Sequence, residues 1–140
     1  MTPGEREGPW LIDKSALGRL GTSPDVDLRA NRIDRGLVHF ATVTLLELAY
    51  SARTAADMRR GMNSSSVAAM PVEFATPAIE ERAGDVQAPL AGRGQHRKAA
   101  IPDLLIAATA KLSGLVVRNV DKDFDLIAAI TGQRVEILAS

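Results

Sequence analysis

Short apolar runs alternate along the chain with longer segments in which apolar residues recur every three or four positions. The short runs are typical of buried strands, and the longer segments are typical of amphipathic helices. The predicted strands are 9–13, 37–41, 72–74, 115–119 and 135–138. The predicted helices are 14–20, 23–35, 42–52, 54–69, 77–90, 103–113 and 124–131. Strands that alternate with helices predict a three-layer α/β/α sandwich with a mainly parallel central sheet.

Proline and glycine set several of the predicted boundaries. Pro24 and Pro102 each open a helix, whereas Gly36 and Gly114 each follow the end of one. The glycines and charges of residues 92–98 indicate a loop. The pattern contains no internal repeat, so we expect a flexible lead-in over residues 1–9 and a single folded domain over residues 10–140.

The composition narrows the class of protein. The chain has 140 residues, of which 46% are hydrophobic, and this suits one globular domain. It has no cysteine, which excludes disulfides, zinc–thiolate sites and cysteine nucleophiles. No apolar run approaches the roughly 20 residues of a membrane span, and the first eight residues lack the apolar core of an export signal. We therefore expect a cytoplasmic protein that does not enter a membrane.

The charges balance, with 17 Lys and Arg residues against 17 Asp and Glu residues. A net charge of zero argues against a protein that holds nucleic acid by bulk charge alone. It does not argue against a nuclease, because such an enzyme can gather acids at a metal site and bases on the rim around it.

Acidic residues follow two of the predicted strands. Asp13 ends the first strand, and Asp121 and Asp123 come just after the strand 115–119. In an open parallel sheet, ligands bind beyond the carboxyl ends of the strands. We therefore expect these carboxylates to reach one edge of the sheet.

Two further acids lie on helices. Asp103 is in the first turn of its helix, just after Pro102. Glu47 shares a helix face with Thr44 and Ser51, at spacings of three and four residues, on a helix that is otherwise apolar.

Each acid also has a structural interpretation when it is taken alone. Asp13 suits a strand end or helix cap, Asp103 suits the positive end of a helix dipole, Asp121 and Asp123 suit a turn, and Glu47 suits a solvated stripe. Their joint placement favours a site. Clustered carboxylates repel one another unless a cation lies between them, and oxygen ligands favour Mg²⁺ or Mn²⁺ over zinc. Such a centre can activate water against a phosphodiester.

Four stretches of the chain together resemble the PIN domain, and more closely the VapC toxins of bacterial type II toxin–antitoxin pairs. They are Asp13-x-Ser15, Thr44-Leu45-Leu46-Glu47-Leu48, residues 101–110 and residues 117–125. The stretch from Ile101 to Ala110, together with the motif Asp121-x-Asp123-Phe124, is the most specific part. The resemblance extends from about Trp10 to Leu138.

This resemblance implies a Mg²⁺-dependent endoribonuclease, usually a homodimer, that cleaves structured RNA such as tRNA or rRNA by metal-activated water. It also implies a cognate VapB-like antitoxin whose tail covers the active site. The carboxylates of the family map here onto Asp13, Glu47, Asp103 and Asp121, with Asp123 as a further or alternative metal ligand.

Three neighbouring positions complete the comparison. Ser15 matches a hydroxyl that is often near the site. Asn119 stands where Thr or His is frequent, and Lys14 stands where Thr is common, so that its cation either approaches a phosphate or points away.

Four residues of the loop before Asp103 have two interpretations. Arg93, His96, Arg97 and Lys98 form either a solvated loop or a rim that contacts RNA phosphates. His39, inside an apolar strand, is predicted to be a packed core residue rather than a catalyst.

Two other functions compete with the ribonuclease. The first is a catalytically inactive PIN-like module that only binds RNA or protein, and the retained acids argue against it. The second is a phosphotransfer α/β domain of the haloacid-dehalogenase kind. Such a domain needs a second aspartate where this chain has Ser15.

Overall fold

A five-stranded parallel sheet forms the centre of the molecule. The computed structural model describes residues 8–17, 26–119 and 124–137. The strands are β1 (Trp10–Ile12), β2 (Val38–Ala41), β3 (Val72–Glu73), β4 (Val116–Asn119) and β5 (Val135–Ile137). Their order across the sheet is β3-β2-β1-β4-β5, and every neighbouring pair is parallel. The predicted parallel sheet is confirmed, and the observed strands are slightly shorter than predicted.

Helices connect the strands on both sides of the sheet. They are α1 (Lys14–Leu17), α2 (Val26–Asp34), α3 (Thr42–Tyr50), α4 (Ala55–Met62), α5 (Ser65–Ala69), α6 (Pro77–Gly92), α7 (Ile101–Ser113) and α8 (Asp125–Thr131). Most match the predicted helices to within two residues at the ends that the structure describes. The predicted start of α2 at Ser23 and Pro24 lies outside the described residues. No helix of the described ranges has the length and apolar character needed to cross a membrane.

The single helix predicted over residues 54–69 is wrong, because the chain forms two helices there. Thr54 caps α4 by accepting a hydrogen bond from the Asp57 N–H at 3.0 Å. The side chain of Ser64 accepts one from the Val67 N–H at 3.4 Å, which begins α5. Short polar side chains offer the backbone such local alternatives to helical bonding, so Asn63 and Ser64 interrupt the helix.

The core is divided between the two faces of the sheet because strand side chains alternate in direction. On one face, Leu11 and Val117 pack in a cluster with residues of α6, α7 and α8. On the other face, Trp10, Ile12 and Val116 pack with residues of α1, α2 and α5 and with Met70. Two apolar layers, one on each face, confirm the three-layer sandwich.

Trp10 is the largest side chain of the second face, and two arginines pack on its ring. It is buried, and the guanidinium carbons of Arg32 and Arg118 lie 4.1 and 4.2 Å from its ring centroid. Arg32 also donates to the Gly8 carbonyl, and Arg118 Nη1 donates to Glu136 Oε2 at 2.8 Å. The stack therefore ties β1 to α2, β4 and β5.

His39 is not packed in the core as predicted. Its side chain is 18% exposed, and its Nδ1 lies 2.7 Å from Glu73 Oε1 while its Nε2 lies 3.1 Å from the Gly36 carbonyl. These contacts connect β2 to the short edge strand β3. His39 therefore has a structural role at the sheet edge, and the catalytic alternative receives no support from these contacts.

Candidate active site

Asp13 lies at the point where the strand order of the sheet reverses. From β1 the chain builds outward through β2 and β3, whereas β4 and β5 lie on the other side of β1. The crevice between the carboxyl ends of β1 and β4 is the usual ligand site of such sheets. The Asp13 N–H donates to the Arg118 carbonyl at 3.2 Å, which places Asp13 beside the last residue of β4, Asn119.

Two hydrogen bonds fix the carboxylate of Asp13. Its Oδ1 accepts from Ser15 Oγ at 2.7 Å and from the Ala16 N–H at 2.9 Å, and its residue is only 6% exposed. Asp13 therefore caps the first turn of α1, as the structural interpretation of the sequence expected. The cap fixes the carboxylate at the carboxyl end of β1, where the crevice begins. Ser15 lies next to Asp13.

The polar stripe on α3 runs from the core to the solvent. Thr44 is fully buried, Glu47 is half-buried and Ser51 is exposed. The Thr44 hydroxyl has no hydrogen-bond partner within the described part of the chain, and the same holds for the Glu47 carboxylate. Buried polar groups are normally paired, so the unpaired Thr44 hydroxyl is unusual, whereas the Glu47 carboxylate reaches solvent and can be hydrated.

Asp103 is half-buried in the first turn of α7. The helix α3 contacts both α1 and α7, so the elements that carry Asp13, Glu47 and Asp103 adjoin one another. Within residues 8–17, 26–119 and 124–137, however, no group of three or more acidic or histidine side chains is close enough to hold a metal ion. Asp121 and Asp123, which were predicted to complete the cluster, lie outside the described residues.

The remaining candidate residues divide between the crevice and the surface. Asn119 is buried at the end of β4, and Lys14 is exposed at the start of α1. The loop between α6 and α7 carries Arg93, His96, Arg97 and Lys98, all exposed as a loop or rim would require.

The sequence analysis did not anticipate that Arg29 and Arg32 are buried or that Arg118 packs on Trp10. Arg29 and Arg32 are 1% and 2% exposed on α2, and Arg118 lies in the central strand β4, one residue before Asn119. Arg29 and Arg32 are three residues apart, so they lie on one face of α2. This spacing could have predicted from the sequence that the two side chains share an environment. Trp10 supplies the apolar surface that accommodates two of these cations.

The model of the PIN domain family matches residues 11–130 of the chain. This range includes every element from β1 to most of α8 and all the acids predicted for the site. The chain therefore belongs to the PIN-domain family.

Its relatives in sequence are VapC ribonucleases. Ribonuclease VapC2 of Mycobacterium tuberculosis (strain CDC 1551 / Oshkosh) is 60% identical over 129 residues, which cover 92% of each chain. Ribonuclease VapC51 of M. tuberculosis (strain ATCC 25618 / H37Rv) is 41% identical over 89% of this chain and 88% of the relative. The expectation of a ribonuclease toxin of the VapC type is confirmed, and the inactive binding module is not supported.

Solved structures with this fold include DNA-bound VapBC from Salmonella typhimurium, which matches with a TM-score of 0.74 and 21% identity over 92% of this chain and 97% of the other. VapBC-5 from M. tuberculosis matches with a TM-score of 0.61 and 22% identity over 95% and 99% of the two chains. At these identities the match supports the fold, and it confirms the PIN-like sandwich.

Proposed function

We propose that this ribonuclease hydrolyses phosphodiester bonds of structured RNA, such as tRNA or rRNA, at a Mg²⁺ or Mn²⁺ centre in the crevice between β1 and β4. Asp13, Asp103, Asp121 and Asp123 would hold the metal, and Glu47 would act with them. The proposal depends chiefly on Asp13, whose nearly buried carboxylate is fixed by Ser15 and Ala16 at the reversal point of the sheet.

The donors near the crevice fit a hard divalent cation. Carboxylate oxygens are the ligands that Mg²⁺ prefers, and Mg²⁺ usually keeps several water molecules. The buried Thr44 hydroxyl, which lacks a partner among the described residues, would be available to bond a water molecule of the cation. When bound, the cation lowers the pKa of water and neutralises charge on the phosphate.

The surroundings of Asp13 and Glu47 suit them to different roles in the reaction. Asp13 is rigid, so it suits a ligand whose position must not change during the reaction. Glu47 is half-buried and has no partner in the described ranges, so its carboxylate is available to accept a proton from the attacking water. The water oxygen then bonds to phosphorus as the bond to the leaving oxygen breaks.

The proposed partners are a VapB-like antitoxin and a second copy of this chain. Several solved structures that share this fold are VapBC and other toxin–antitoxin complexes. By analogy, the antitoxin of this chain would cover the crevice, and the toxin would form a homodimer. Cytoplasmic location and the division into a lead-in (1–9) and a PIN-like domain (10–140) remain predictions.

Metal-dependent cleavage is tested with purified protein and a structured RNA substrate. We expect cleavage with Mg²⁺ or Mn²⁺, loss of cleavage with EDTA, and a fall in rate of at least a hundredfold in Asp13→Asn and Asp103→Asn. Asparagine keeps the size of each side chain but removes the charge that binds the cation.

The matched control is Asp85→Asn, because Asp85 is an exposed carboxylate in the middle of α6. It should leave the rate unchanged. The proposed centre would be refuted if the wild-type protein still cleaved RNA in EDTA and Asp13→Asn cleaved it as fast as the wild type. Circular dichroism checks that each variant is folded, since Asp13 also caps α1.

A further inference from the structure

The loop between α6 and α7 carries several positive charges and no negative charge. From residue 86 to residue 102 there is no Asp or Glu, and Arg93, Arg97 and Lys98 fall within six positions, together with His96. All four side chains are exposed. None has a hydrogen bond or ion pair to another residue of the described chain. We call residues 93–98 the basic turn.

The basic turn is held in place by its own backbone. The Gly94 N–H donates to the Ala91 carbonyl at 2.9 Å, and the Gln95 N–H donates to the Leu90 carbonyl at 2.8 Å. The Lys98 N–H then donates to the Gln95 carbonyl at 3.0 Å. Gly94 has a φ of 67°, which a residue with a side chain rarely adopts. The turn therefore presents its cations from a fixed backbone.

The basic turn also lies close to the candidate site. Lys98 is separated from Ala100, the cap of α7, by the buried Ala99, and Asp103 lies in the first turn of that helix. Extended chain spans at most about 3.6 Å per residue and helix rises about 1.5 Å per residue. The Cα atoms of Lys98 and Asp103 are therefore no more than about 12 Å apart.

We propose that the basic turn binds phosphates of the RNA strand next to the cleaved bond. This inference rests on the proposed function, because it places the scissile phosphate at Asp103 and Asp13. A protein whose net charge is zero cannot attract RNA by its overall field, so the contribution must come from a local excess of positive charge. The turn supplies this excess at the margin of an acidic crevice that would otherwise repel the RNA backbone.

The chemistry of the turn favours a phosphate backbone over an acidic protein surface. Arginine forms paired hydrogen bonds with phosphate, and lysine binds it as a point charge. The turn offers both, but no exposed apolar side chain lies between Arg93 and Lys98 to provide the buried centre of a protein interface. Phosphate contacts position a nucleic acid without reading its sequence. The turn should therefore raise affinity equally for different RNA sequences.

The test measures RNA binding in EDTA, where cleavage does not interfere. The probe is a single-stranded oligouridylate, and the variant is the double change Arg97→Ala with Lys98→Ala. Each phosphate contact to a single strand contributes about 0.7 to the slope of log affinity against log salt. We expect the slope to become shallower by about 1.4 and the affinity at 0.1 M salt to fall by on the order of tenfold.

The matched control removes two exposed cations elsewhere, Arg59 on α4 and Lys111 near the end of α7. It changes the net charge equally and should leave the slope nearly unchanged. An equal loss in both double variants, or none in either, would overturn the proposal. So would an equal loss of binding to poly-glutamate, because the turn would then be a general site for polyanions.

These results separate the turn from the proposed metal centre. If the basic turn does not bind RNA but the proposed metal centre exists, the double variant binds RNA normally and cleaves it with Mg²⁺. If the basic turn binds RNA but the proposed metal centre does not exist, the double variant still has a shallower salt slope, while Asp13→Asn leaves cleavage unaffected.

Discussion

At the scale of single residues, Asp13 and Thr44 show how the site and the scaffold share the same side chains. Asp13 caps α1, and the same hydrogen bonds fix its carboxylate at the end of β1. Thr44 differs from Asp13, because its buried hydroxyl has no hydrogen-bond partner in the described part of the protein. A buried polar group without a partner costs about 1–3 kcal/mol, and such a cost is expected where a residue serves a ligand.

This cost can be measured by the change Thr44→Val, which replaces the hydroxyl with a methyl group of similar size. We expect the free energy of unfolding in EDTA to rise by about 1 kcal/mol, because an unsatisfied buried group is removed. We expect the cleavage rate with Mg²⁺ to fall, and the gain in stability to be smaller in Mg²⁺ than in EDTA. Urea titrations in both conditions, with a cleavage assay, measure these effects.

The control for Thr44→Val is Thr109→Val on α7. Thr109 is also buried, but its hydroxyl donates to the Leu105 carbonyl at 2.7 Å. Its replacement removes a satisfied hydrogen bond, so stability should fall by about 1 kcal/mol. If both variants lose stability equally, the Thr44 hydroxyl has a partner and does not face a ligand.

At the scale of elements, the sequence predicted where helices end better than it predicted where a helix is interrupted. Gly114 was predicted to stop α7, and it is the cap residue with a φ of 70°. The break between α4 and α5 was missed, although the polar run from Asn63 to Ser66 already weakened the prediction of one continuous helix. Whether Ser64 caps a new helix depends on whether α5 finds a packing partner, and it does so on α2.

The cap of α7 can be tested with Gly114→Ala. A residue with a side chain pays about 1–2 kcal/mol to adopt a left-handed backbone, so the free energy of unfolding should fall by that amount. Gly84→Ala is the control, since Gly84 lies inside α6 with open space where the new methyl group would lie. There alanine should raise stability by about 0.5–1 kcal/mol. Thermal unfolding that shows the same sign for both would contradict this account.

At the scale of the whole molecule, one central strand supports two separate apolar layers. Leu11 packs on the face covered by α6, α7 and α8, whereas its neighbours Trp10 and Ile12 pack on the other face. Both clusters depend on β1, which is bonded to β2 on one side and β4 on the other. The two layers should therefore lose their structure together.

Leu11→Ala and Ile12→Ala test this coupling, since each removes a fully buried side chain from a different face. Each should lower the free energy of unfolding by about 2–5 kcal/mol. Trp10 is the only tryptophan and reports on the second face alone, whereas far-ultraviolet circular dichroism reports on all helices. In both variants the two signals should change at the same urea concentration. Separate transitions in Leu11→Ala would show that the faces unfold independently.

The sequence by itself determined the alternation of strands and helices, the parallel sheet and the resemblance to PIN-domain ribonucleases, because these depend on local periodicity and on short motifs. Tertiary structure decided the strand order, the stacking of Arg32 and Arg118 on Trp10, and the link from His39 to Glu73. Each of these joins residues that are distant along the chain, so no local pattern encodes it. Asp13 belongs to both groups: its position at a strand end is visible in the sequence, but its place beside Asn119 exists only once β1 has paired with β4.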